Sequence, residues 1–178
     1  MKKLLVLGAI TSAVAFSSVA SANSGTINFT GTITSATCTI SPVVNGGVSS
    51  SINLGNLDTA LTGTPVQFSL TPAGSSAKDC LAKTAADVSW SAPNMDATGF
   101  ANSGGSAKGV SLQLKAKNAT AADELVTDSN RVIEYAATGA SSTLSNFDYE
   151  AKLVTSVSGG TVSAGSFATS ASYTVAYK

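Results

Sequence analysis

The sequence alternates apolar and polar side chains in short runs that turn-forming residues separate. In one run, Val66, Phe68 and Leu70 share a face, and Pro72 follows them. Alternation with a period of two predicts half-buried β-strands, and proline is excluded from the centre of a sheet. Many short runs of this kind predict an all-β sandwich. The other runs lie at residues 32–40, 51–57, 87–93, 109–117, 131–139, 146–154 and 166–178.

Helix signals are weak in this sequence. The alanine-rich stretches 80–88 and 118–126 have room for a turn of helix, but their threonine and aspartate content favours loops. The glycine- and serine-rich tracts 99–109 and 156–165 also predict loops. No internal repeat or linker indicates a second domain.

The first 22 residues have the pattern of a signal peptide. Lys2 and Lys3 precede an apolar core at 4–16 that is too short to span a membrane, and the small residues at 20–22 match a cleavage site. A membrane anchor is the alternative, which the short apolar run disfavours. We therefore expect export and a mature chain that begins at Asn23.

Charge and residue usage argue against several functions. Ten basic residues balance ten acidic ones, and removing Lys2 and Lys3 with the signal peptide leaves 8 against 10, a net charge of −2. Without a long basic run, nucleic acid is not an expected partner. Histidine is absent, so a Ser-His-Asp triad cannot form, and neither a GxGxxG motif nor a P-loop occurs. We predict a protein without catalytic residues, metal or cofactor.

Two cysteines, Cys38 and Cys80, are present. In an exported protein such a pair usually forms a disulfide, and closing a loop of this size contributes about 4 kcal/mol in the chain-entropy model. A metal pair and a catalytic thiol are the alternatives, but two cysteines without histidine do not complete a tetrahedral zinc site. A structural disulfide is the favoured prediction.

A strongly alternating run stands at the expected mature N-terminus. Gly25, Ile27 and Phe29 share one face, and the same pattern continues through Gly31 and Ile33. An exposed apolar edge strand invites aggregation unless it is covered or paired. We interpret this strand as one that pairs with another molecule.

The C-terminal run is patterned over its whole length. Gly165 precedes it, and Lys178 follows directly after the last tyrosine. The simplest interpretation is the last strand of a sandwich. The residues that share its apolar face are Phe167, Ala171, Tyr173, Val175 and Tyr177.

Together these segments resemble the pilins, the major subunits of chaperone–usher (type 1-like) fimbriae. The resemblance rests on "GTINFTG" near the expected mature N-terminus, Cys38 seven residues after Gly31, Cys80 after the "FSL" strand, and "GSFATSASYTVAYK" with its penultimate tyrosine. The stretches "TGTITSATCTI" and "DCLAKT" are most similar to FanC-type subunits. The resemblance covers the entire expected mature chain.

This resemblance implies an incomplete immunoglobulin-like β-sandwich that lacks its last strand. It divides the chain into a signal peptide at 1–22, an N-terminal donor-strand extension at 23–30 and the sandwich domain at 31–178. In such proteins a groove lies open between the first and last strands. A periplasmic chaperone fills it first, and at the outer-membrane usher the extension of the next subunit replaces the chaperone strand, a known instance of strand addition.

The resemblance also implies residue roles. Ile27 and Phe29 would be the donor-strand anchors, and Gly25 the small residue that lets an incoming strand approach closely. The carboxylate of Lys178 would be held by basic residues of the chaperone. The C-terminal strand that lines the groove and binds the chaperone would carry Gly165, Phe167, Tyr173, Val175 and Tyr177.

Three functional hypotheses follow. The first is a non-enzymatic structural subunit of a fimbria on the bacterial surface, whose partners are copies of itself, other fimbrial subunits, the chaperone and the usher. It predicts that an isolated chain is unstable or inserts its own N-terminus into its groove. The alternative of a secreted immunoglobulin-like domain that acts alone predicts a stable monomer.

The remaining hypothesis is a lectin-like adhesin for host glycoconjugates, because similarity to FanC-type subunits implies binding of sialylated glycolipids by the major subunit. An anionic sugar calls for basic residues in an exposed loop, and the corresponding stretch 153–165 has none. Basic residues elsewhere are scattered, and we interpret them as solvated charges on strand faces. They are Lys108, Lys115, Lys117, Arg131 and Lys152.

Overall fold

The computed structural model describes residues 25–33, 38–57, 63–75, 77–137, 143–156 and 161–178, and for 25–33 it describes the backbone alone. The predicted signal peptide lies outside the described residues. Twelve strands and one short helix, α1 (Ala77–Leu81), form within them. The strands are β1 (Gly25–Ile33), β2 (Thr39–Val44), β3 (Gly47–Val48), β4 (Ser51–Asn53), β5 (Val66–Ala73), β6 (Ala85–Ser91), β7 (Phe100–Ala101), β8 (Val110–Ala116), β9 (Glu124–Val126), β10 (Val132–Ala136), β11 (Phe147–Thr155) and β12 (Phe167–Tyr177).

These strands form two sheets that pack face to face as a sandwich. Sheet A has the order β10-β6-β12-β1-β4, and sheet B has the order β3-β2-β5-β11-β8-β7, with β9 also paired to β8. Among the described strands, every pairing is antiparallel except that of β1 with β12, which is parallel. The all-β sandwich predicted from the alternating runs is therefore confirmed.

The alternation in the sequence matches the burial along the strands. In β5, Phe68 and Leu70 are buried while Gln67 is exposed. This strand continues past Pro72, where the sequence pattern had placed its end. Pro72 is in register with Ile40 of β2, and the pairing of β5 with β11 stops at Leu70, so no partner strand on that side needs the missing N–H.

Aromatic side chains fill the space between the sheets. Trp90 of β6 and Tyr149 of β11 meet edge to face with ring centroids 5.1 Å apart, and the Trp90 indole N–H donates to the Tyr149 hydroxyl at 3.1 Å. Trp90 also packs on Phe100 and on Tyr173 of β12, at centroid distances of 6.1 and 5.7 Å. Burying the indole is tolerated because its N–H has a partner.

The predicted disulfide between Cys38 and Cys80 is present, and both cysteines are buried. It joins the residue before β2 to α1, so the start of sheet B is tied to the connection between β5 and β6. The helix itself corrects one expectation, because Cys80 and Leu81 lie in its last turn rather than in a loop. In the described part of the chain, no helix has the length and apolar character needed to cross a bilayer.

Candidate functional site

The C-terminal strand β12 lies in the middle of sheet A, as the last strand of the chain. Its predicted apolar face is buried between the sheets, with Tyr177 at its end only partly so. Thr169, which the apolar pattern did not include, occupies the remaining inward position and is also buried. The outward Ser170 and Ser172 are exposed. The buried members of the face are Phe167, Thr169, Ala171, Tyr173 and Val175.

One edge of β12 is paired along its second half with β6. The register runs from Ser172 opposite Ser91 to Tyr177 opposite Ala86. The next backbone N–H, that of Lys178, donates to the carbonyl of Ala85 at 2.8 Å. Antiparallel pairing with β6 therefore holds this edge up to the last residue of the sequence.

The first half of the same edge is bonded to a loop, residues 102–107. The carbonyl of Ala168 accepts from the backbone N–H groups of Ser103 and Gly104 at 3.0 and 2.9 Å, and that of Ser166 accepts from Ala107 at 3.0 Å. Within a strand, backbone groups two residues apart point to the same edge, so Ser166, Ala168 and Lys178 all face the β6 side. This loop therefore takes the place that β6 leaves open.

Glycines make the close approach of this loop to the strand possible. A Cβ on Gly105 would lie 2.0 Å from the carbonyl oxygen of Ser166, and one on Gly165 would lie 2.5 Å from the backbone nitrogen of Ala107. Both distances are far below van der Waals contact, so any larger residue would force the loop away from the strand. Gly165, singled out from the sequence as a groove residue, lies at this contact.

The opposite edge of β12 is covered by β1, the segment predicted to be a donor strand. The two strands run parallel, from Gly25 opposite Phe167 to Ile33 opposite Val175. In addition, β1 pairs with β4 at Thr26 to Asn28 and so lies between β12 and β4. The position between β12 and β4, here called the groove, is thus filled by the chain's own N-terminal segment.

The register places the predicted donor residues opposite the buried face of β12. Ile27 is opposite Thr169 and Phe29 is opposite Ala171. Their side chains lie outside the described residues, and their role as anchors remains a prediction. The strand also runs to Ile33, three residues beyond the predicted extension of 23–30.

Within sheet A, β4 has β1 as its strand neighbour, and it carries Ile52, which is 0% exposed. Leaving the groove empty would separate β4 from β12 and expose their backbone N–H and C=O groups. It would also bring the apolar side chains at the groove, such as Ile52 and Val175, closer to water. The groove therefore holds one extended strand, which in this structure is β1.

Two tyrosines on β12 have contrasting surroundings. The Tyr173 hydroxyl crosses the sandwich and donates to the carbonyl of Ile40 in β2 at 2.9 Å. The buried Tyr177 hydroxyl has no hydrogen-bond partner among the described residues, and burial raises the pKa of Tyr177 to about 12. Beyond it, the Lys178 ammonium pairs with Asp87 of β6 at 2.7 Å.

The basic residues considered for glycan binding are spread over the molecule. Lys115 is in register with Glu150 on the outer face of sheet B. Lys117 pairs with Asp123, and the Arg131 guanidinium donates to the carbonyl of Asp128 at 3.0 Å. Of the other two, Lys108 is exposed, and Lys152 lies opposite Gln113.

No metal site is found among the described residues, because no three His, Cys, Asp or Glu side chains cluster there. Asp96 is the most strongly hydrogen-bonded carboxylate in this part of the chain. Burial raises its pKa, but bonds from the hydroxyls of Ser111 and Ser156 and from the N–H groups of Thr98 and Gly99 outweigh this and lower it. Asp96 thus fastens a loop to β8 and to the end of β11.

Sequence reasoning missed Asn102, whose side chain joins the loop to β12. Its amide nitrogen donates to the carbonyls of Ala107 and Ser166, and its amide oxygen accepts from the N–H groups of Gly105 and Ala168. The available signal was an asparagine just before serine and two glycines, a typical turn composition. That composition predicts a turn but does not reveal which distant strand the turn contacts.

Comparison with known proteins identifies the family. No family model matches the chain. The chain is 44% identical over 186 residues to the K99 fimbrial protein of Escherichia coli, covering 99% of each. It is 32% identical over 180 residues to the F107 fimbrial protein of Escherichia coli, covering all of both. The chain therefore belongs to the fimbrial proteins, a family of non-enzymatic structural proteins of cell-surface fimbriae, as its resemblance to FanC-type subunits predicted.

Proposed function

We propose that this protein is the repeating subunit of a fimbria and that it polymerises by donor-strand exchange. In the polymer, residues 23–33 of one copy would occupy the position between β12 and β4 of its neighbour. The observation that carries this proposal is the strand pairing itself, since β1 covers one edge of β12 over nine residues and separates it from β4. A strand that enters a sheet between two others can be replaced by another of matching pattern.

Physical chemistry favours a helper that keeps the chain's own strand out of the groove. Because β1 is tethered, its effective concentration at the groove is in the millimolar range, and self-insertion competes with a neighbour's strand. A chaperone strand bound to β12 would prevent this competition and shield the apolar groove. Delivery by a periplasmic chaperone to an outer-membrane usher accounts for both needs.

Removal of the signal peptide is compatible with the proposed strand exchange. Cleavage after Ala22 would leave Asn23 and Ser24 ahead of β1. A short free end can thread between β12 and β4 of a neighbouring subunit, whereas an attached signal peptide would anchor it at the membrane. Export through the periplasm and polymerisation at the outer membrane would then follow in order.

The direct test is to place a charge on the donor strand. Phe29→Asp puts a carboxylate at a register position that faces buried Ala171, where desolvation is costly. We expect cells that make this variant, with chaperone and usher present, to lose SDS-resistant ladders of linked subunits and shed filaments. Gly25→Trp should have the same effect by blocking close approach.

Val48→Asp provides the matched control, because Val48 is 74% exposed on β3, an edge strand of sheet B, whereas β12 lies in sheet A. It introduces the same charge without touching the groove and should leave the ladders intact. If Phe29→Asp and Val48→Asp give the same ladders as the unchanged protein, donor-strand exchange through residues 23–33 is ruled out.

A further inference from the structure

We infer that Asn102 is a positioning residue for strand exchange, which fixes the first half of β12 from the side opposite the groove. The inference rests on the proposed function, because it concerns the same edge. In this inference the loop at 102–107 holds the first half of β12 in its extended conformation. A strand that enters the groove then pairs with a backbone that is already ordered.

The need for such a residue follows from the length of β6. Pairing with β6 begins at Ser172, whereas pairing with β1 begins at Phe167. Residues 167–171 thus pair with β1 on the groove side, and none of the described strands pairs with them on the other side. Without another segment there, the backbone groups on that edge would be unpaired, and only side-chain packing and the strand in the groove would order this backbone, at a cost of about 1–2 kcal/mol per residue.

The Asn102 side chain adds to the backbone bonds that the loop donates to Ser166 and Ala168. Its amide nitrogen donates to Ala107 at 2.8 Å and to Ser166 at 3.1 Å, and its amide oxygen accepts from Gly105 and Ala168, both at 3.0 Å. The bonds to Ala107 and Gly105 lie within the loop. The bonds to Ser166 and Ala168 connect the loop to the start of β12. Together all of these side-chain bonds use both amide protons and both oxygen lone pairs, which is the full capacity of the side chain.

The consequence is specific to one half of the groove. Loss of the Asn102 side chain should loosen β12 where β1 residues 25–29 pair with it. It should leave the part opposite residues 30–33 unchanged, because β6 supports that part directly from Ser172 onward. A merely structural role of Asn102 would instead lower the stability of the whole sandwich evenly.

Asn118 is the matched control. It is also a partly buried loop asparagine, and its amide nitrogen donates to Ser145 and Asn146 at 3.0 and 2.7 Å while its oxygen accepts from the N–H of Asp148 at 2.8 Å. These bonds lie beside sheet B, away from β12. Asn118→Ala therefore removes a comparable network without affecting the groove.

The experiment compares the full mature chain with Asn102→Ala, Asn102→Asp and Asn118→Ala. Residue-resolved hydrogen exchange is measured first on the monomers. We expect amides in 25–29 to exchange at least about tenfold faster in Asn102→Ala, the scale of one to two lost hydrogen bonds, with 30–33 unchanged. Asn118→Ala should leave both segments unchanged. Asn102→Asp keeps the accepted bonds, loses the donated ones and replaces Asn102→Ala if that variant does not fold.

Filaments give the second readout. Ladders of Asn102→Ala subunits should dissociate at a lower temperature in SDS than ladders of the unchanged protein or of Asn118→Ala. If the unchanged protein forms no ladders, the proposed function fails, while faster exchange confined to 25–29 still supports positioning of the chain's own strand. If exchange rises evenly over β1, or equally in Asn102→Ala and Asn118→Ala, the inference about Asn102 is overturned.

Discussion

The two edges of β12 are built from different parts of the chain. The edge away from the groove is bonded to β6 and to the loop at 102–107, both of which are held by the core. The groove edge is bonded to β1, whose one further strand neighbour in the described sheet is β4, over three residues. One edge, the permanent edge, is therefore formed by internal parts of the chain. The other, the exchangeable edge, is formed by the N-terminal segment that we propose is exchanged between subunits.

This difference has an energetic consequence for assembly. In the proposed exchange, the permanent edge would order β12 before a partner arrives, so an incoming strand would lose only its own conformational freedom. The exchangeable edge still offers a full row of backbone donors and acceptors beside a buried apolar face. In the proposed exchange, this groove would bind strands by backbone pairing and select among them by side chains at alternate positions.

The largest expected effect comes from removing the exchangeable edge. Deleting residues 23–33 should leave Ile52 and Val175 incompletely covered, and full burial of a large apolar side chain is worth about 1.5–3 kcal/mol. We expect the shortened chain to be insoluble or strongly destabilised in urea unfolding. A synthetic peptide of residues 23–33 should restore solubility.

A peptide with Phe29→Asp serves as the control for that rescue and should not restore the fold. Equal stability of the shortened and complete mature chains would mean that β1 contributes nothing to the sandwich. The groove edge of β12 would then not depend on β1 for its stability.

The permanent features were largely predictable from local patterns. Alternation over 166–178 predicted which face of β12 is buried, and export with two cysteines predicted the bond between Cys38 and Cys80. Both arguments depend on period and compartment, which a sequence displays directly. The burial of Thr169 was not predicted, because threonine counts as a polar residue although its position in the alternation points inward.

The partners of β12 were not predictable in the same way. Asn102 bonds to residues 64 and 66 positions away, and no local pattern encodes such a contact. The parallel direction of β1 likewise depends on which groove it enters, since alternation alone is symmetric with respect to strand direction. Sequence reasoning identified the two strands that meet but not the register or the supporting loop.

A smaller effect tests how β12 is anchored to the opposite sheet. Tyr173→Phe removes the hydroxyl that donates to the buried carbonyl of Ile40 at 2.9 Å. An unsatisfied buried acceptor costs about 1–3 kcal/mol, and we expect a loss within this range in urea unfolding. This hydrogen bond does not involve β1, so the loss of stability should be similar whether β1 or a neighbour's strand fills the groove. No change in stability would show that the bond is not formed in solution.

The smallest effect at neutral pH is expected four residues further along the same strand. The Tyr177 hydroxyl is buried without a hydrogen-bond partner among the described residues, so Tyr177→Phe breaks no bond and removes an unpaired buried group. We expect its free energy of unfolding at pH 7 to equal or slightly exceed that of the unchanged protein. The two substitutions are chemically identical, and the difference between them isolates the bond of Tyr173 from the burial of the ring.

Alkaline pH should widen the difference in stability between Tyr177→Phe and the unchanged protein. Burial raises the pKa of Tyr177 to about 12 in the folded chain, above the ordinary value of about 10 for tyrosine. A raised folded-state pKa means that the neutral hydroxyl is favoured by folding, so this contribution is complete below pH 10 and declines as the pH rises toward 12. Tyr177→Phe has no such group and should retain more stability than the unchanged protein above pH 10. Buried Tyr135 and Tyr149 have raised pKa values in both proteins, so the comparison removes their effect. Stability curves that stay parallel from pH 9 to 12 would mean that water reaches Tyr177, and that the end of β12 is less firmly packed than its pairing with β6 indicates.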